Sequence, residues 1–138
     1  MREILFRGKR IDNGEWVYGS LVIQSGEWLN KDEKAPDEYW IYGKRGEIYL
    51  VDSSTIGQYT GLTANDKKIF EGDIVKIISV LDDSERVTAV MYDSGLFGVK
   101  HEDHSIPSII PLRAYDVYSQ IEVIGNIHDN PELLEDKP

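Results

Sequence analysis

The residues best suited to metal chemistry lie in one short segment, His101-Glu102-Asp103-His104. His, Glu and Asp side chains all bind zinc and similar ions. Two histidines three positions apart converge on one ion only in a helix, and Pro107 and Pro111 favour an extended loop here. The third histidine, His128, follows 24 residues later. We therefore expect an exposed polar loop and assign no metal site.

Three carboxylates, those of Asp66, Glu71 and Asp73, lie close together in the chain. Acid–base catalysis needs two carboxylates on facing structures with separated pKa values. These three instead fall within one predicted hairpin, where turn capping accounts for Asp66 and Asp73. We assign no catalytic role to them.

Nucleophilic and phosphate-binding chemistry have no recognisable pattern either. The hydroxyl groups of Ser53, Ser54 and Thr60 have no His at the spacing of a serine-type nucleophile. No Gly-rich loop precedes a predicted helix, and the chain contains no Cys, which excludes disulfides, a Cys-based zinc site and a thiol nucleophile. The sequence therefore predicts a protein that is not an enzyme and uses no cofactor.

The pattern of apolar residues predicts a mainly β protein. The chain has 138 residues, a length that suits one domain or one domain with an extension. Short segments rich in Val, Ile, Tyr and Trp alternate with Gly-containing turns. The turns at 12–14, 44–46 and 93–95 each place Gly third in a three-residue link, where a type I turn followed by a G1 bulge needs positive φ. We predict three hairpins there.

The rest of the chain contributes further strands and almost no helix. We predict strands over 74–81 and 120–127 and a long connection over 101–113. Only residues 131–134 look helical, as one short turn that Asn130 caps and Pro131 begins.

The Gly-Asp corner at residues 72–73 precedes the most regular strand. Small SH3-like barrels commonly begin a strand in this way, since Gly allows a sharp bend and Asp accepts hydrogen bonds from exposed amides. We therefore predict an N-terminal β-hairpin region over 1–54, packed on an SH3-like barrel over 55–138 that ends in a short turn, as one compact unit.

Three parts of the chain together resemble the YopX family, small proteins encoded in phages and prophages. The matching segments are 6–9 with 14–19, 57–62 with 68–75, and 122–127 with 130–134. The motif residues are Gln58, Tyr59, Thr60, Gly61, Glu71, Gly72, Asp73, Gly125, Asn126, Asn130 and Pro131.

The resemblance implies a mostly β protein with an SH3-type C-terminal part, a phage or prophage origin and a cytoplasmic place of action in a bacterial host. It implies no reaction and no cofactor. We interpret the motif as structural: its glycines suit bends and bulges, and its asparagines suit turns. Relatives commonly carry Asn-Gly where this chain has Asn65-Asp66, and we expect the hairpin to persist with a different turn type.

Aromatic residues are concentrated in the first part of the chain, with nine of the 14 within 6–59. Both faces of the predicted strand 39–42 carry apolar side chains, which favours cover on one face by the barrel and on the other by a second copy or a partner. The candidate contact residues are Trp16, Tyr18, Trp28, Trp40 and Tyr42. The alternative is that these aromatics fill a single core.

The charges bear on the class of partner. The net charge is −10, from 15 Lys and Arg against 25 Asp and Glu, which disfavours nucleic acid as a partner. One basic group remains as an alternative nucleic-acid site, with Trp16 as its stacking platform; it comprises Arg2, Arg7, Lys9 and Arg10. Residues 51–138 carry nine of the ten net charges, which also fits an acidic mimic that occupies a host DNA-binding protein.

No apolar run reaches the length of a signal-peptide core or a membrane-spanning helix. We therefore expect a cytoplasmic protein that does not bind membranes. We favour contacts with a host or phage protein and with further copies of the chain.

Overall fold

A computed structural model describes residues 1–115 and 119–135 of the chain. Within these residues it contains twelve β-strands and three short 3-10 helices. The strands are β1 Phe6–Lys9, β2 Trp16–Gln24, β3 Glu38–Tyr42, β4 Ile48–Leu50, β5 Gly57–Ala64, β6 Lys67–Phe70, β7 Asp73–Ser79, β8 Glu85–Ala89, β9 Met91–Asp93, β10 Leu96–Lys100, β11 Ile109–Pro111 and β12 Ser119–Asn126. The 3-10 helices are Ser53–Thr55, Leu112–Tyr115 and Pro131–Leu134.

The strands pair in antiparallel fashion, which confirms the prediction of a mainly β protein. The chain divides into two compact units, Met1–Tyr59 (unit 1) and Thr60–Pro138 (unit 2). The division that we proposed between residues 54 and 55 stays a prediction.

Unit 1 is a rolled sheet with the strand order β4-β3-β2-β1, and the first two residues of β5, Gly57 and Gln58, pair with β1. A bridge between Arg10 and Val51 joins the end of β1 to the end of β4, where the Ile11 amide donates to the Leu50 carbonyl oxygen at 3.0 Å. Ile41 and Val51 are buried inside the roll. A Cβ at Gly8 would lie 3.1 Å from the Val51 Cβ, so a residue without a side chain lets the sheet close this tightly.

Unit 2 contains the β5–β6 hairpin and two three-stranded sheets, β12-β7-β8 and β11-β10-β9. Its core is a cluster of aliphatic side chains: Ala64, Ile69, Val75, Ile77, Val90, Val99 and Leu112. Among the described residues, the hydrogen-bonded ladders do not close into a single barrel. In place of the single closed SH3-like barrel predicted for 55–138, the described residues form separate small sheets. The predicted β content of this part is confirmed.

The three predicted hairpins are present, but two of their turns differ from the prediction. The link at 44–46 has three residues, with Gly46 at φ 86° and the Gly43 amide bonded to the Glu47 carbonyl oxygen. The third hairpin pairs Asp93 with Leu96 and has positive φ at both Ser94 and Gly95, which defines a two-residue type I′ turn.

The first hairpin has a four-residue loop, because the Arg10 amide donates to the Glu15 carbonyl oxygen at 2.9 Å. The position of Gly in the sequence does not distinguish loops of two, three and four residues, because each of these loops contains a Gly at positive φ.

Two local predictions needed correction. The segment 101–113, predicted to be a long connection because of its two prolines, contains β11 and the start of a 3-10 helix. The predicted helical turn at 131–134 is present and begins at Pro131, but the Asn130 side chain makes no capping hydrogen bond to it. That side chain instead accepts a hydrogen bond from the Asn126 amide at 3.2 Å.

Candidate functional site

Strand pairing sorts the side chains of unit 1 onto two faces of its sheet. Residues directly opposite each other in an antiparallel pair share a face. Ile41 pairs with Leu21 on the inner face, where Ile41 is fully buried. Tyr42 pairs with Ser20, and because successive side chains alternate, this pair points outward.

The outward side chains of β2, β3 and β4 form a surface that we call the outer face. Its members are Trp16, Tyr18, Ser20, Val22, Trp40, Tyr42, Ile48 and Leu50. Four large apolar members, Tyr18, Val22, Tyr42 and Ile48, are each between 40 and 52 % exposed. Contiguous exposed apolar groups of this kind mark contact surfaces.

The outer face brings together four of the five aromatic residues singled out from the sequence. Trp16 and Tyr18 lie on β2, and Trp40 and Tyr42 lie on β3. The fifth, Trp28, lies outside the strands in the loop between β2 and β3.

Two basic side chains pack on the indole ring of Trp16. The Arg7 guanidinium carbon lies 4.7 Å from the ring centroid, and the Lys9 Nζ lies 5.4 Å from it. Arg7 is only 6 % exposed, so its charge lies beneath the surface. Two members of the predicted basic patch, Arg7 and Lys9, are therefore engaged in cation–π contacts with Trp16.

Arg10 is also engaged, through a bidentate pair with the Asp12 carboxylate. Its Nη2 lies 2.6 Å from Oδ2 and its Nε lies 2.9 Å from Oδ1. The hydrogen bond from Arg10 lowers the pKa of Asp12 below its ordinary value. The Arg10 guanidinium also lies 4.9 Å from the Tyr49 ring centroid, whereas Arg2, the fourth member of the patch, is exposed.

The Trp40 indole nitrogen is buried and has no hydrogen-bond partner among the described residues. A buried N–H without a partner costs about 1–3 kcal/mol. Trp40, which lies opposite Val22 in the β2–β3 pair, therefore carries this cost in stability.

The loop 25–37 has an ordered internal structure. A bridge pairs Trp28 with Lys34, and the Ala35 amide donates to the Glu27 carbonyl oxygen at 2.8 Å. At its base, the Gly26 amide donates to Asp37 Oδ1 at 3.0 Å. This hairpin-like loop holds Trp28 in the solvent, two-thirds exposed.

Unit 1 also contains an open groove of about 610 Å³. Its lining contains apolar side chains together with charged side chains of both signs. The lining includes Lys9, Arg10, Ile11, Asp37, Glu38, Tyr39, Leu50 and Asp52.

The candidate metal segment forms a polar turn. His101 Nδ1 accepts a hydrogen bond from the Asp103 amide at 3.1 Å. Asp103 Oδ1 accepts from the Ser105 hydroxyl at 2.6 Å, which lowers the pKa of Asp103. Within residues 1–115 and 119–135, no three His, Cys, Asp or Glu side chains are placed to hold a metal ion.

In the β5–β7 region, the motif side chains that could do chemistry contact backbone instead. Asp73 is 3 % exposed, and its Oδ2 accepts from the Phe70 amide at 2.7 Å. The Thr60 hydroxyl donates to the Ile69 carbonyl oxygen at 2.8 Å. Asp66 occupies a turn at φ 65°, and Glu71 is half-buried.

The C-terminal motif residues form a second set of backbone contacts. Asn126 Oδ1 accepts from the amides of His128 and Asp129 at 3.0 and 2.9 Å. A Cβ at Gly125 would lie 2.6 Å from the Asn130 Oδ1, so a larger residue there would have to displace the Asn130 side chain. These contacts support the structural interpretation of the motif, which stays a prediction.

Three features of unit 1 escaped the sequence analysis. Val22 and Ile48 are aliphatic and were not singled out, although strand pairing places them on the outer face. The groove is formed by residues far apart in the chain. Alternation along β2 could have predicted Val22, since it lies four residues after Tyr18.

The chain is thus a mainly antiparallel β protein of two compact units, one of which exposes an aromatic sheet face. It belongs to the YopX family: the family model described as "YopX protein" matches residues 5–135.

The comparisons also identify relatives. The SPbeta prophage-derived uncharacterized protein YopX of Bacillus subtilis (strain 168) is 36 % identical over 75 residues, which cover 54 % of this chain and 56 % of that relative. The aligned stretch therefore spans little more than half of the relative's length.

Two crystal structures share the fold. Protein yopX from Bacillus subtilis matches with a TM-score of 0.56 and 23 % identity, over 98 % of this chain and 100 % of that one. Protein EF1440 from Enterococcus faecalis matches with a TM-score of 0.54 and 22 % identity, over the same shares of the two chains. Among the described residues, no helix is long and apolar enough to cross a membrane.

Proposed function

We propose that this chain is a prophage-encoded accessory protein that acts in the cytoplasm of its bacterial host through protein–protein contacts, without catalysing a reaction. The contact surface is the outer face of unit 1. The prophage origin of the Bacillus subtilis relative supports the first part of the proposal.

The observation that carries the proposal is the gathering of exposed aromatic and aliphatic side chains on one sheet face. Trp and Tyr are enriched at protein interfaces because their rings bury a large area while one polar group remains solvated. On the outer face, Tyr18, Tyr42 and Val22 are all at least 40 % exposed. A sheet face of this composition suits a partner with a matching apolar surface.

The hydrogen bonds made by the acidic and hydroxyl side chains support a function without catalysis. Asp73 and Thr60 direct their oxygens at backbone groups, and Ser54 donates its hydroxyl hydrogen to Asp52 at 2.8 Å. Groups engaged in this way are held for folding rather than presented to a substrate.

The proposal is tested by capture from host lysate with a matched pair of variants. Val22→Lys places a charge on the outer face, and Val87→Lys places the same charge on β8 in unit 2; both valines are 40 % exposed. We expect a specific protein bound by the parent chain to be lost with Val22→Lys and retained with Val87→Lys. Equal capture by both variants would contradict the proposed surface.

A second function, binding of single-stranded nucleic acid, is favoured by one observation. Lys9 and Trp16 lie side by side on the same face as Tyr18, a combination of cation and stacking ring. Against it, Arg7 is buried and Arg10 is paired with Asp12.

The test of this alternative is fluorescence anisotropy with short single-stranded DNA and RNA at low salt. Binding that is lost in Trp16→Ala and weakens steeply with added salt would support it. An unchanged anisotropy would falsify it.

A further inference from the structure

The loop that closes the first hairpin, residues 11–14, contains an asparagine followed by a glycine, Asn13-Gly14. At the base of this loop, the Arg10 amide donates to the Glu15 carbonyl oxygen. All four loop residues are exposed. Water and hydroxide ions therefore reach the Asn13 side chain and the Gly14 backbone.

An Asn-Gly pair of this kind is open to spontaneous deamidation, the reaction that makes asparagine a thermolabile residue. The backbone nitrogen of the following residue loses its proton to hydroxide, attacks the side-chain Cγ and closes a five-membered succinimide ring. The new N–Cγ bond replaces the Cγ–Nδ2 bond, and the side-chain nitrogen takes a proton from water and leaves as ammonia. Water then opens either carbonyl of the ring, which gives aspartate or isoaspartate. The reaction consumes only water.

The residue after each asparagine determines how easily its nitrogen attacks. Gly has no Cβ to hinder the approach, and of the five asparagines in the chain only Asn13 is followed by Gly. The other four precede Lys31, Asp66, Ile127 and Pro131. The first three of these carry a side chain next to the attacking nitrogen, and Pro131 has no N–H to lose.

Hydrogen bonds restrain two of the other asparagine side chains. Asn126 Oδ1 accepts from two backbone amides, and its Nδ2 donates to Asp129 Oδ2 at 3.0 Å. Asn30 Oδ1 also accepts from two backbone amides, at 2.9 Å each. Their Cγ atoms can turn toward the following nitrogen only when these bonds break, which disfavours the reaction at both residues.

The hydrogen bond at Asn13 acts in the opposite sense. Asn13 Oδ1 accepts from the Glu15 amide at 2.9 Å. During the attack, negative charge develops on this oxygen, and a backbone N–H directed at such an oxygen stabilises the charge. The loop thus supplies one donor to the transition state of ring closure.

A second hydrogen bond in the loop slows the reaction. The Gly14 amide donates to the Arg10 carbonyl oxygen at 2.9 Å, and its hydrogen becomes available to hydroxide only after this bond opens. Hydrogen bonds in exposed loops open at a lower free energy than those of core strands. The reaction therefore proceeds through local opening of the loop and does not require unit 1 to unfold.

We propose that Asn13 is a site of spontaneous deamidation, at a rate that the 11–14 loop controls through the Gly14–Arg10 hydrogen bond. The product carries a new carboxylate next to Asp12, which makes the net charge one unit more negative than −10. In the isoaspartate form, the main chain of the loop is also one carbon longer. The inference goes beyond the proposed function, because the reaction needs no protein partner.

The test is peptide mapping by mass spectrometry after incubation of the full chain in mildly alkaline buffer. We expect the mass increase that replacement of –NH₂ by –OH produces to appear first in the peptide that contains Asn13, with aspartate and isoaspartate separated by chromatography. Gly14→Ala should slow this reaction by about tenfold or more, equivalent to about 1.4 kcal/mol in activation free energy, because its Cβ hinders the attack.

The matched control is Gly46→Ala in another hairpin loop. Gly46 and Gly14 both have positive φ, 86° and 72°, and a Cβ at either position meets nothing within 4 Å. Gly46→Ala therefore imposes a similar backbone strain far from Asn13 in the chain and should leave its reaction rate unchanged.

A second measurement in guanidinium chloride isolates the contribution of the loop. In the unfolded chain the Gly14–Arg10 hydrogen bond is absent, so the parent chain should deamidate faster at Asn13 than in buffer, and Gly14→Ala should still slow the reaction. An equal rate in buffer and denaturant would contradict the control assigned to the loop.

Earlier modification of another asparagine in buffer, no modification of the Asn13 peptide, or a Gly14→Ala rate equal to that of the parent chain in denaturant overturns the inference. None of these results changes the capture of a partner through Val22, so the proposed function stands or falls separately.

Discussion

Asp73 accepts a hydrogen bond from the Phe70 amide inside unit 2, where its carboxylate is almost fully buried. Its own carbonyl oxygen accepts from the Val90 amide, so one residue joins two segments of backbone. The sequence predicted this turn-capping use from the Gly-Asp corner. It could not supply the partner Val90, which lies 17 positions along the chain and is set by tertiary packing.

Replacement of Asp73 should therefore destabilise unit 2. We expect Asp73→Ala to lower the free energy of unfolding by about 1–3 kcal/mol, because the buried Phe70 amide loses its acceptor. Asp73→Asn keeps an acceptor oxygen and should cost less. Urea denaturation measures the difference, with the exposed residue Glu122 as control; a loss in Asp73→Ala no larger than in Glu122→Ala would contradict the assignment.

The pair Arg10–Asp12 makes a prediction about pH. A carboxyl group whose pKa is lowered in the folded state stabilises the fold above its unfolded pKa, and this contribution is lost as the pH falls through the folded pKa. In Arg10→Gln, the pKa of Asp12, followed by NMR titration, should rise toward its ordinary value of 3.8, because its main hydrogen-bond donor is gone.

The control for this titration is Asp103, whose lowered pKa arises chiefly from Ser105 and should not respond to the loss of Arg10. An unchanged pKa of Asp12 in the variant would show that the bidentate pair does not persist in solution.

Among the secondary-structure elements, hairpins were the most predictable and their turn types the least. Turn glycines mark where the chain reverses, as at Gly46 and Gly95, but the loop length depends on which residues pair across the strands. The same limit applies to the sheet faces. Alternation predicts two faces on β3, whereas only the pairing with β2 and β4 shows that Trp40 and Tyr42 share theirs with Val22 and Ile48.

The β5–β6 turn offers a test at this scale. Asn65 and Asp66 both have positive φ, 51° and 65°, the pattern of a type I′ turn. An L-residue in the left-handed, positive-φ conformation is strained by about 1–2 kcal/mol, which replacement by Gly relieves. The same replacement lowers the free energy of unfolding by about 0.5–1 kcal/mol, because Gly gives the unfolded chain more conformational freedom. Asp66→Gly should therefore stabilise the protein by about 0.5–1 kcal/mol.

Thermal unfolding checks this expectation, with Lys67→Gly on the adjacent strand as control. That variant gains no relief of strain and should lower the stability. A loss of stability in Asp66→Gly would show that the Asp66 side chain contributes more than its backbone strain costs.

At the scale of the whole molecule, the composition makes the chain acidic. The resemblance predicted the YopX family, and the family match confirms it. The site was less predictable. The basic patch read from the sequence turns out to be largely engaged, because Arg7 and Lys9 pack on Trp16 and Arg10 pairs with Asp12. Spacing along a strand does not reveal whether a cation stacks on a neighbouring ring or faces the solvent.

The net charge leads to a prediction that separates the two classes of partner. Two chains of net charge −10 repel each other, and salt screens this repulsion as the Debye length falls from about 30 Å at 0.01 M to about 8 Å at 0.15 M. Self-association should therefore strengthen over this range, as measured by sedimentation. Binding to nucleic acid would weaken over the same range.

The central claim, that the outer face of unit 1 contacts a protein partner, is tested most directly by site-specific photocrosslinking in bacterial cells that produce this chain. A photoreactive phenylalanine analogue replaces Tyr42 on the outer face or, as the matched control, Tyr92 in unit 2; both tyrosines lie on strands and are at least 42 % exposed. We predict a discrete crosslinked protein product from position 42 and none from position 92. Equal products from both positions, or none from position 42, would contradict the account.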